Sequence, residues 1–573
     1  MKIRLHLTYA LVTALLIGSS LILVARARSE QRLVIVTYEG FSELQRLGSQ
    51  ALQIINYQAG VLAALCSDGQ VAELRQAGFE VRIIDSTANL SLYYLAYPLP
   101  ATDPQALSIA LASFAYGKDA YIVKATSEQA HALSERGVDL FKLPDSIVVP
   151  SPQHRPAAVS AGLMYSPAVQ SMVDAVSPTL LLHHVCKLQD RDSLTYCNEL
   201  GTRYSYATEG LNEAAQYLYD QYASLGLSVS YHPFSYMGTV MTNVVAELPG
   251  VNPGSDHIYI LGAHYDSTSR DSDTFETAPG ADDNASGVAA VVEVARILSQ
   301  YSFPHTLRFV NFAGEEQFLL GSSAYAKQAR EQGDLIEGMI NLDMIAYETV
   351  PPNDHIVEIH AGQNPSSIAL ADVFIHSISE YGLSLVPQQM ITDATWRSDH
   401  ASFWSEGYPA ILGMEDFDDL NPHYHSKRDT VAHLQPQMMV EYTKASVATL
   451  AHLASRPPQE QPPDVLEIEG YVRLNSWDGP GLSGATVRWE TVVDSAVFGE
   501  TSTDAKGYYS FEPIAFSSAP MLILVTASRE GYDVEPPEGH WLWYRGDHEL
   551  HQLDFLARMN VRTYLPIIAK HYP

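Results

Sequence analysis

The chain has 573 residues, 66 acidic against 34 basic, and a formal net charge of -32. At roughly 100 to 200 residues per domain the length predicts about three or four units, and 46% apolar with 17% charged residues excludes a generally disordered chain. So much negative charge repels phosphate backbones and anionic lipid, and no basic cluster reverses it locally, which excludes nucleic acid as a partner.

In chain order, Met1-Lys2-Ile3-Arg4 precedes a mostly apolar stretch from Leu7 to Val24 and then Ala25-Arg26-Ala27. That charged, apolar, small-x-small order predicts a secretory signal peptide over residues 1–27. The apolar stretch is near the lower limit for spanning a bilayer, so an uncleaved signal anchor is the alternative. Either way the chain is expected to be secreted or held at the cell surface. Of three cysteines, Cys186 and Cys197 flank a polar, turn-rich loop that an exported protein could close with a disulfide contributing about 3 kcal/mol. Cys66 sits in an apolar run and reads as a buried thiol without a nucleophilic role.

Residues 30–155 show a weak internal repeat. Gly60-Val-Leu-Ala-Ala-Leu-Cys, Gln70 to Gly78 and Phe79-Glu-Val-Arg-Ile-Ile are echoed by Lys118-Asp-Ala-Tyr-Ile-Val-Lys, Ser127 to Gly137 and Val138-Asp-Leu-Phe-Lys-Leu. Each copy predicts strand, short helix, glycine stop, strand. This α+β region holds no catalytic cluster and is expected to be either a propeptide-like inhibitory module or a plain structural domain.

From 160 to 455 strands and helices alternate. His257 to Ala263, Thr306 to Phe312 and Ile336 to Leu342 are apolar runs of buried strands, while Asn212 to Leu225, Gly287 to Ser299 and Gln437 to Ala454 read as helices. An α/β domain around a largely parallel sheet follows, with its ligand site beyond the carboxyl ends of the strands. Residues 456–463 form a Pro-rich linker. Short strands between turn signals over 464–558 predict a β-sandwich, and 559–573 is a tail that could be a last strand or a surface-attachment signal.

Five segments carry chemistry: Gly262-Ala-His264-Tyr-Asp266, Pro279-Gly-Ala-Asp282-Asp283-Asn-Ala-Ser-Gly287, Gly314-Glu315-Glu316, Asn341-Leu-Asp343-Met and His423-Tyr-His425-Ser-Lys-Arg-Asp429. Taken singly each has a bland reading, since a histidine after a strand is commonly a hydrogen-bonded loop residue and a Glu-Glu pair commonly faces solvent at a helix N-terminus. Asp343 is less easily dismissed, because it lies in a run that otherwise wants burial, where a carboxylate must be paired or bound to metal. Two His and three carboxylates suit paired Zn²⁺, with a shared Asp between the ions and a Glu beside the water as general base. Asp282 and Asp283 compete for the shared position.

Together these segments resemble the secreted bacterial di-zinc aminopeptidases, clan MH exopeptidases with a phosphorylase/hydrolase-like fold, over roughly residues 200 to 455. The resemblance implies a central mixed sheet flanked by helices and two Zn²⁺ per chain. It implies that Asp283 bridges the metals, that His264 and Asp343 hold one, and that Glu316 and His425 hold the other. Glu315 is then the general base, Asp266 the carboxylate that orients the His264 imidazole, and Asp283 is followed by Asn284 through what is often a cis peptide. Ser398-Asp399-His400-Ala-Ser-Phe-Trp matches a further family segment, with His400 read as structural because the ligand set is complete.

Where some members carry a disulfide-flanked Tyr, this chain has Thr395 and Arg397, and Tyr424 resembles the Tyr that other members use as an oxyanion donor. The expected function is removal of N-terminal residues from peptides or proteins, with no membrane partner beyond the possible signal anchor. Alternatives are a carboxypeptidase, dipeptidase or glutaminyl cyclase on the same fold, or a non-catalytic binding protein. Gly484-Ala-Thr-Val and Asp504-Ala-Lys-Gly-Tyr-Tyr-Ser-Phe resemble carboxypeptidase-regulatory-like modules.

Overall fold

The computed structural model describes residues 31–149, 165–189, 202–455 and 465–559, less breaks at 51, 90–91, 100–101, 103–104, 118–119, 272–273, 350–353, 477–478, 492–497, 512–513, 516–520, 531, 536–539, 545–548 and 554. The predicted signal segment, Cys197, the Pro-rich linker and the tail beyond residue 559 lie outside the described residues. The chain divides into two compact units, Met1–Pro457 and Pro458–Pro573.

The first unit begins with β1 (Arg32–Thr37), α1 (Gly40–Ser49), β2 (Gln53–Gln58), β3 (Val61–Cys66), α2 (Asp68–Gln76) and β4 (Glu80–Asp85), whose strands pair antiparallel in the order β2-β3-β1-β4. Next come β5 (Tyr93–Pro98), β6 (Ala112–Tyr116), β7 (Ala120–Lys124), α3 (Ser127–Ser134) and β8 (Val138–Lys142), paired antiparallel in the equivalent order β6-β7-β5-β8. The correspondence extends to the caps. Ser67 with Gln70 and Thr126 with Gln129 each make a reciprocal capping box. Each helix is then followed by a glycine of positive φ, 92° at Gly78 and 85° at Gly137, the left-handed stop that residues with a Cβ seldom adopt. Cys66 ends β3, buried and free.

Three helices follow, α4 (Pro167–Asp174), α5 (Pro178–Leu188) and α6 (Thr208–Ser224). The first two start where a serine caps a proline at the first turn, Ser166 accepting from the Val169 amide and Ser177 from that of Leu180. The central sheet comprises β9 (Ser228–Tyr236), β10 (Thr239–Leu248), β11 (His257–His264), β12 (Thr306–Phe312), β13 (Leu335–Leu342), β14 (Ile356–His360), β15 (Val386–Met390) and β16 (Ala410–Glu415). Their order is β15-β14-β16-β13-β11-β12-β10-β9. β11 runs parallel to β12 on one side and to β13 on the other, β13 is parallel to β16, and β10 and β14 join antiparallel. The result is the mixed sheet flanked by helices that the resemblance implies; the alternating pattern predicts a largely parallel sheet, and the antiparallel joins of β9, β10 and β14 depart from it.

Successive residues of a strand face opposite sides, and the two faces have different covers. Leu261 and Ala263 of β11 and Leu307 and Phe309 of β12 pack with α7 (Gly287–Leu298) and α11 (Pro436–Ser455). Ile258, Ile260, Val310 and Phe312 pack with α8 (Leu320–Gln332), with α10 (His400–Ser405), and with the β1–β4 module through Leu33, Val36 and Tyr57. α9 (Pro365–Glu380) completes the first cover. Because β12 lies on one side of β11 and β13 on the other, the chain reverses direction across the sheet here and leaves a crevice at the carboxyl ends of these strands.

The second unit contains β17 (Val465–Leu474), β18 (Thr486–Thr491), β19 (Phe498–Ser502), β20 (Tyr508–Ser510), β21 (Ile514–Ala515), β22 (Met521–Ser528), β23 (Tyr532–Glu535), β24 (His540–Tyr544), β25 (Glu549–Gln552) and β26 (Phe555–Met559). One sheet runs β19-β18-β22-β24, and the other runs β20-β17-β26-β23 with β21 and β25 attached to β17. Val487, Trp489, Ile523 and Val525 of the first pack against Ile468, Val472, Tyr509 and Phe555 of the second, which makes a β-sandwich.

Candidate active site

Each predicted ligand stands where the crevice opens. His264 ends β11, Glu315 and Glu316 lie just past β12, Asp343 follows β13 directly, Asp283 lies in the turn that opens α7, and His425 lies in the loop between β16 and α11. His264 Nε2 is 3.2 Å from Asp283 Oδ1 and 3.3 Å from Asp343 Oδ1. His425 Nε2 is 3.1 Å from Asp283 Oδ2 and 2.8 Å from Glu316 Oε2. The two oxygens of Asp283 are thus divided between two imidazoles, each of which meets one further carboxylate.

Donors held by one tetrahedral Zn²⁺ at about 2.0 to 2.2 Å stand roughly 3.3 to 3.6 Å apart. The four imidazole-to-carboxylate distances, 2.8 to 3.3 Å, come close to that spacing, and nitrogen with carboxylate oxygen is a zinc-type donor set. Glu316 Oε1 is buried without a hydrogen-bond partner, a condition that a nearby cation relieves. Burial pushes the Glu315 carboxyl well above its ordinary range and Glu316 up to about 7. At Asp283 burial acts the same way, but hydrogen bonds and charge from His264 and His425 outweigh it and hold the carboxyl low. Glu315 has a donor atom within 4.8 Å of those of His264 and Asp343, and with Asp283 and Tyr424 it lines an opening of about 390 Å³.

The supporting contacts separate look-alike residues. Asp282 turns away from the crevice and accepts from the Ala346 amide at 3.0 Å and from Asn421 Nδ2 at 2.9 Å. Asp429 accepts from the backbone amides of both Asp282 and Asp283, which fixes the turn. The Asp283–Asn284 peptide is cis. Asp266 also makes contacts that were not expected: its carboxylate accepts from the amides of Glu315 and Glu316 at 3.2 and 3.3 Å and from Ser205 at 2.7 Å. Its backbone carbonyl, 3.1 Å from His264 Nδ1, is nearer that ring than its Oδ1 at 3.6 Å.

Tyr424 stacks on His425 with centroids 3.7 Å apart, and its hydroxyl lies 3.4 Å from Asp139 Oδ2. His400 faces the Thr395 carbonyl at 2.9 Å, outside the donor set, and burial pulls its pKa down to about 3. Sequence reasoning missed Ser398, whose hydroxyl donates to Asp343 Oδ2 at 2.6 Å and accepts from Asn341 Nδ2 at 2.7 Å. Its place in the Ser398-Asp399-His400 segment was the available signal. It also missed Arg270 and Asp139. Arg270 Nη2 lies 3.0 Å from Asp139 Oδ1 and 2.8 Å from His425 Nδ1, and nothing local in the sequence marks Asp139, which belongs to β8.

The model of Peptidase family M28 matches residues 243–450. The chain is 28% identical over 345 residues to leucine aminopeptidase 1 of Trichophyton equinum, covering 57% of this chain and 88% of that one. It is 27% identical over 339 residues to leucine aminopeptidase 1 of Trichophyton rubrum, with the same coverage. The solved structure of the Legionella pneumophila LapA aminopeptidase aligns with a TM-score of 0.48 and 20% identity over 64% of this chain and 99% of that one. A glutaminyl cyclase of Macrostomum lignano aligns at 0.42 and 17% over 53% and 98%.

Proposed function

We propose, from a chain whose residues 243–450 match the model of Peptidase family M28, that this protein is a zinc-dependent aminopeptidase that hydrolyses the first peptide bond of peptides. The observation that carries the reading is the division of the Asp283 oxygens between His264 and His425. It supports one ion held by His264, Asp283 and Asp343 and another by His425, Asp283 and Glu316. Ions held there would supply the Lewis acidity that activates water and stabilises negative charge on an attacked carbonyl.

The chain's own residues do the rest. Glu315, buried at the rim of the donor set, takes the proton of the attacking water on a carboxylate oxygen and passes it to the leaving amine, a role that suits a carboxyl of raised pKa. Asp266 holds the Glu315–Glu316 turn by its two backbone amides, and Ser398 orients Asp343. The Tyr424 hydroxyl lies at the same opening, where it can donate to the oxygen that gains charge. Export through residues 1–27 and a Cys186–Cys197 disulfide belong to the same reading, and N-terminal sequencing and thiol counting of the secreted protein check them.

The test measures zinc per chain together with hydrolysis of leucine p-nitroanilide, in the parent and in Glu315→Ala. About two zinc ions in both, with turnover in the variant lower by roughly 10²- to 10⁴-fold, is the expected result. Absence of zinc and of turnover in the parent removes the reading.

A further inference from the structure

Asp139 belongs to the second N-terminal repeat, yet its carboxylate ends at the mouth of the crevice. Arg270 Nη2 meets its Oδ1 at 3.0 Å, Arg397 Nη2 pairs with its Oδ2, and the Tyr424 hydroxyl lies 3.4 Å from the same oxygen. The Arg397 guanidinium lies 4.9 Å from the centre of the Phe417 ring and 5.7 Å from that of Tyr97, and only 15% of the side chain is exposed. It lines the same opening as Glu315 and Asp283. A carboxylate held at both oxygens by two arginines is a strong, geometrically specific contact. Without it, two like charges would face each other in a partly buried site. The carboxylates that share this opening, Asp283 and Asp343, belong to the proposed donor set, which leaves Arg397 and its neighbour Arg270 as the cationic side chains there that are not donors. Asp139 reaches them from a separate module, tethered in the same chain, which is the arrangement of an internal competitor.

We propose that Arg270 and Arg397 form a carboxylate-binding subsite, that Asp139 fills it in place of substrate, and that preferred substrates carry a carboxylate within about one residue of the scissile bond. The substrate clause rests on the peptidase reading above; the subsite does not. The carboxylate could be the side chain of an acidic first residue or the free C-terminus of a dipeptide.

The experiment compares the full-length parent, Asp139→Asn, and Asp139→Asn with Arg397→Gln. Their fold is checked by thermal melting. Substrates are leucine p-nitroanilide, glutamate p-nitroanilide, Leu-Gly and Leu-Gly-amide, and binding of glutarate is measured by calorimetry in EDTA. In Asp139→Asn the kcat/KM for a carboxylate substrate should rise at least tenfold relative to leucine p-nitroanilide. A response to glutamate p-nitroanilide assigns the side chain as the source, and a response to Leu-Gly but not its amide assigns the C-terminus. Glutarate should bind at least tenfold more tightly than to the parent, and Arg397→Gln should abolish both gains.

Turnover of leucine p-nitroanilide with an unchanged substrate ratio and no gain in glutarate binding overturns the subsite and leaves the peptidase intact. Loss of all turnover in a well-folded Asp139→Asn makes Asp139 a part of the working site and also overturns it. Turnover by none of the forms, with the glutarate gain present, retains the subsite and removes the peptidase reading.

Discussion

Two adjacent aspartates show how much of the chemistry rests on direction. Asp282 and Asp283 are equally acidic in the sequence and both buried, but one accepts from Ala346 and Asn421 while the other lies between two imidazoles. Asp283→Asn replaces one bridging oxygen with an amide donor and should cut bound zinc to one ion or fewer per chain, read by metal analysis, with activity falling in parallel. Asp282→Asn removes no donor from either triad and should retain zinc while lowering the melting temperature, because it disturbs a buried hydrogen-bond network at a cost of about 1 to 3 kcal/mol. Equal zinc loss in both variants would contradict the division of roles. The residue that sequence reading placed well but explained incompletely is Asp266: its spacing from His264 is visible, whereas its hold on the Glu315 and Glu316 amides depends on β12 lying beside β11.

At the level of single elements, the start of α7 is tightly constrained. A Cβ on Gly287 would stand 2.4 Å from Asn284 Oδ1 and 2.6 Å from the Leu342 carbonyl oxygen, and both neighbours hold the turn that aims Asp283. Gly287→Ala should therefore cost about 1 to 3 kcal/mol of stability and weaken zinc binding, measured by melting with and without chelator. The α5 helix carries a different signal. His184, 6% exposed and 2.7 Å from the Tyr217 hydroxyl, has its pKa lowered to about 4 by burial, with the charges of His183 and Arg296 adding to the effect. A folded-state pKa below the ordinary 6.5 leaves stability unaffected above that pH. The penalty grows as pH falls from about 6.5 to about 4, to a ceiling of about 3 kcal/mol at 1.36 kcal/mol per unit. Melting curves of His184→Gln should accordingly fall less between pH 7 and pH 5 than those of the parent.

Across the whole first unit, the N-terminal modules complete one face of the central sheet. Tyr57 meets Trp396 edge to face at 5.3 Å, the Val148 amide bonds the Ser405 carbonyl at 2.8 Å, and Leu33, Val36 and Tyr57 share a core with Phe312, Phe403 and Trp404. Starting the chain at Tyr165 uncovers that apolar surface. The shortened protein should melt at a lower temperature and self-associate, visible by light scattering, whereas a melting temperature equal to the parent's would mean that the face is stable uncovered. Because the same modules deliver Asp139 to the crevice mouth, stability and access to the site are coupled through one interface.

The candidate donor residues, the β-to-α alternation and the rhythm of the C-terminal strands were legible along the chain, because the candidate donors follow buried strands at short range and apolar periodicity is a local property. His264, Asp343 and Glu316 each betray themselves within a few residues of an apolar run. The hydrogen bonds that turn Asp282 toward Asn421, the support of Asp343 by Ser398, and the meeting of Asp139 with Arg270 and Arg397 were decided by the folded structure. Asp139 is separated from Arg397 by 258 residues and becomes its neighbour only when a module and a sheet pack face to face. A carboxylate's orientation and its long-range partner are properties of packing, and residue spacing along the chain carries no record of them.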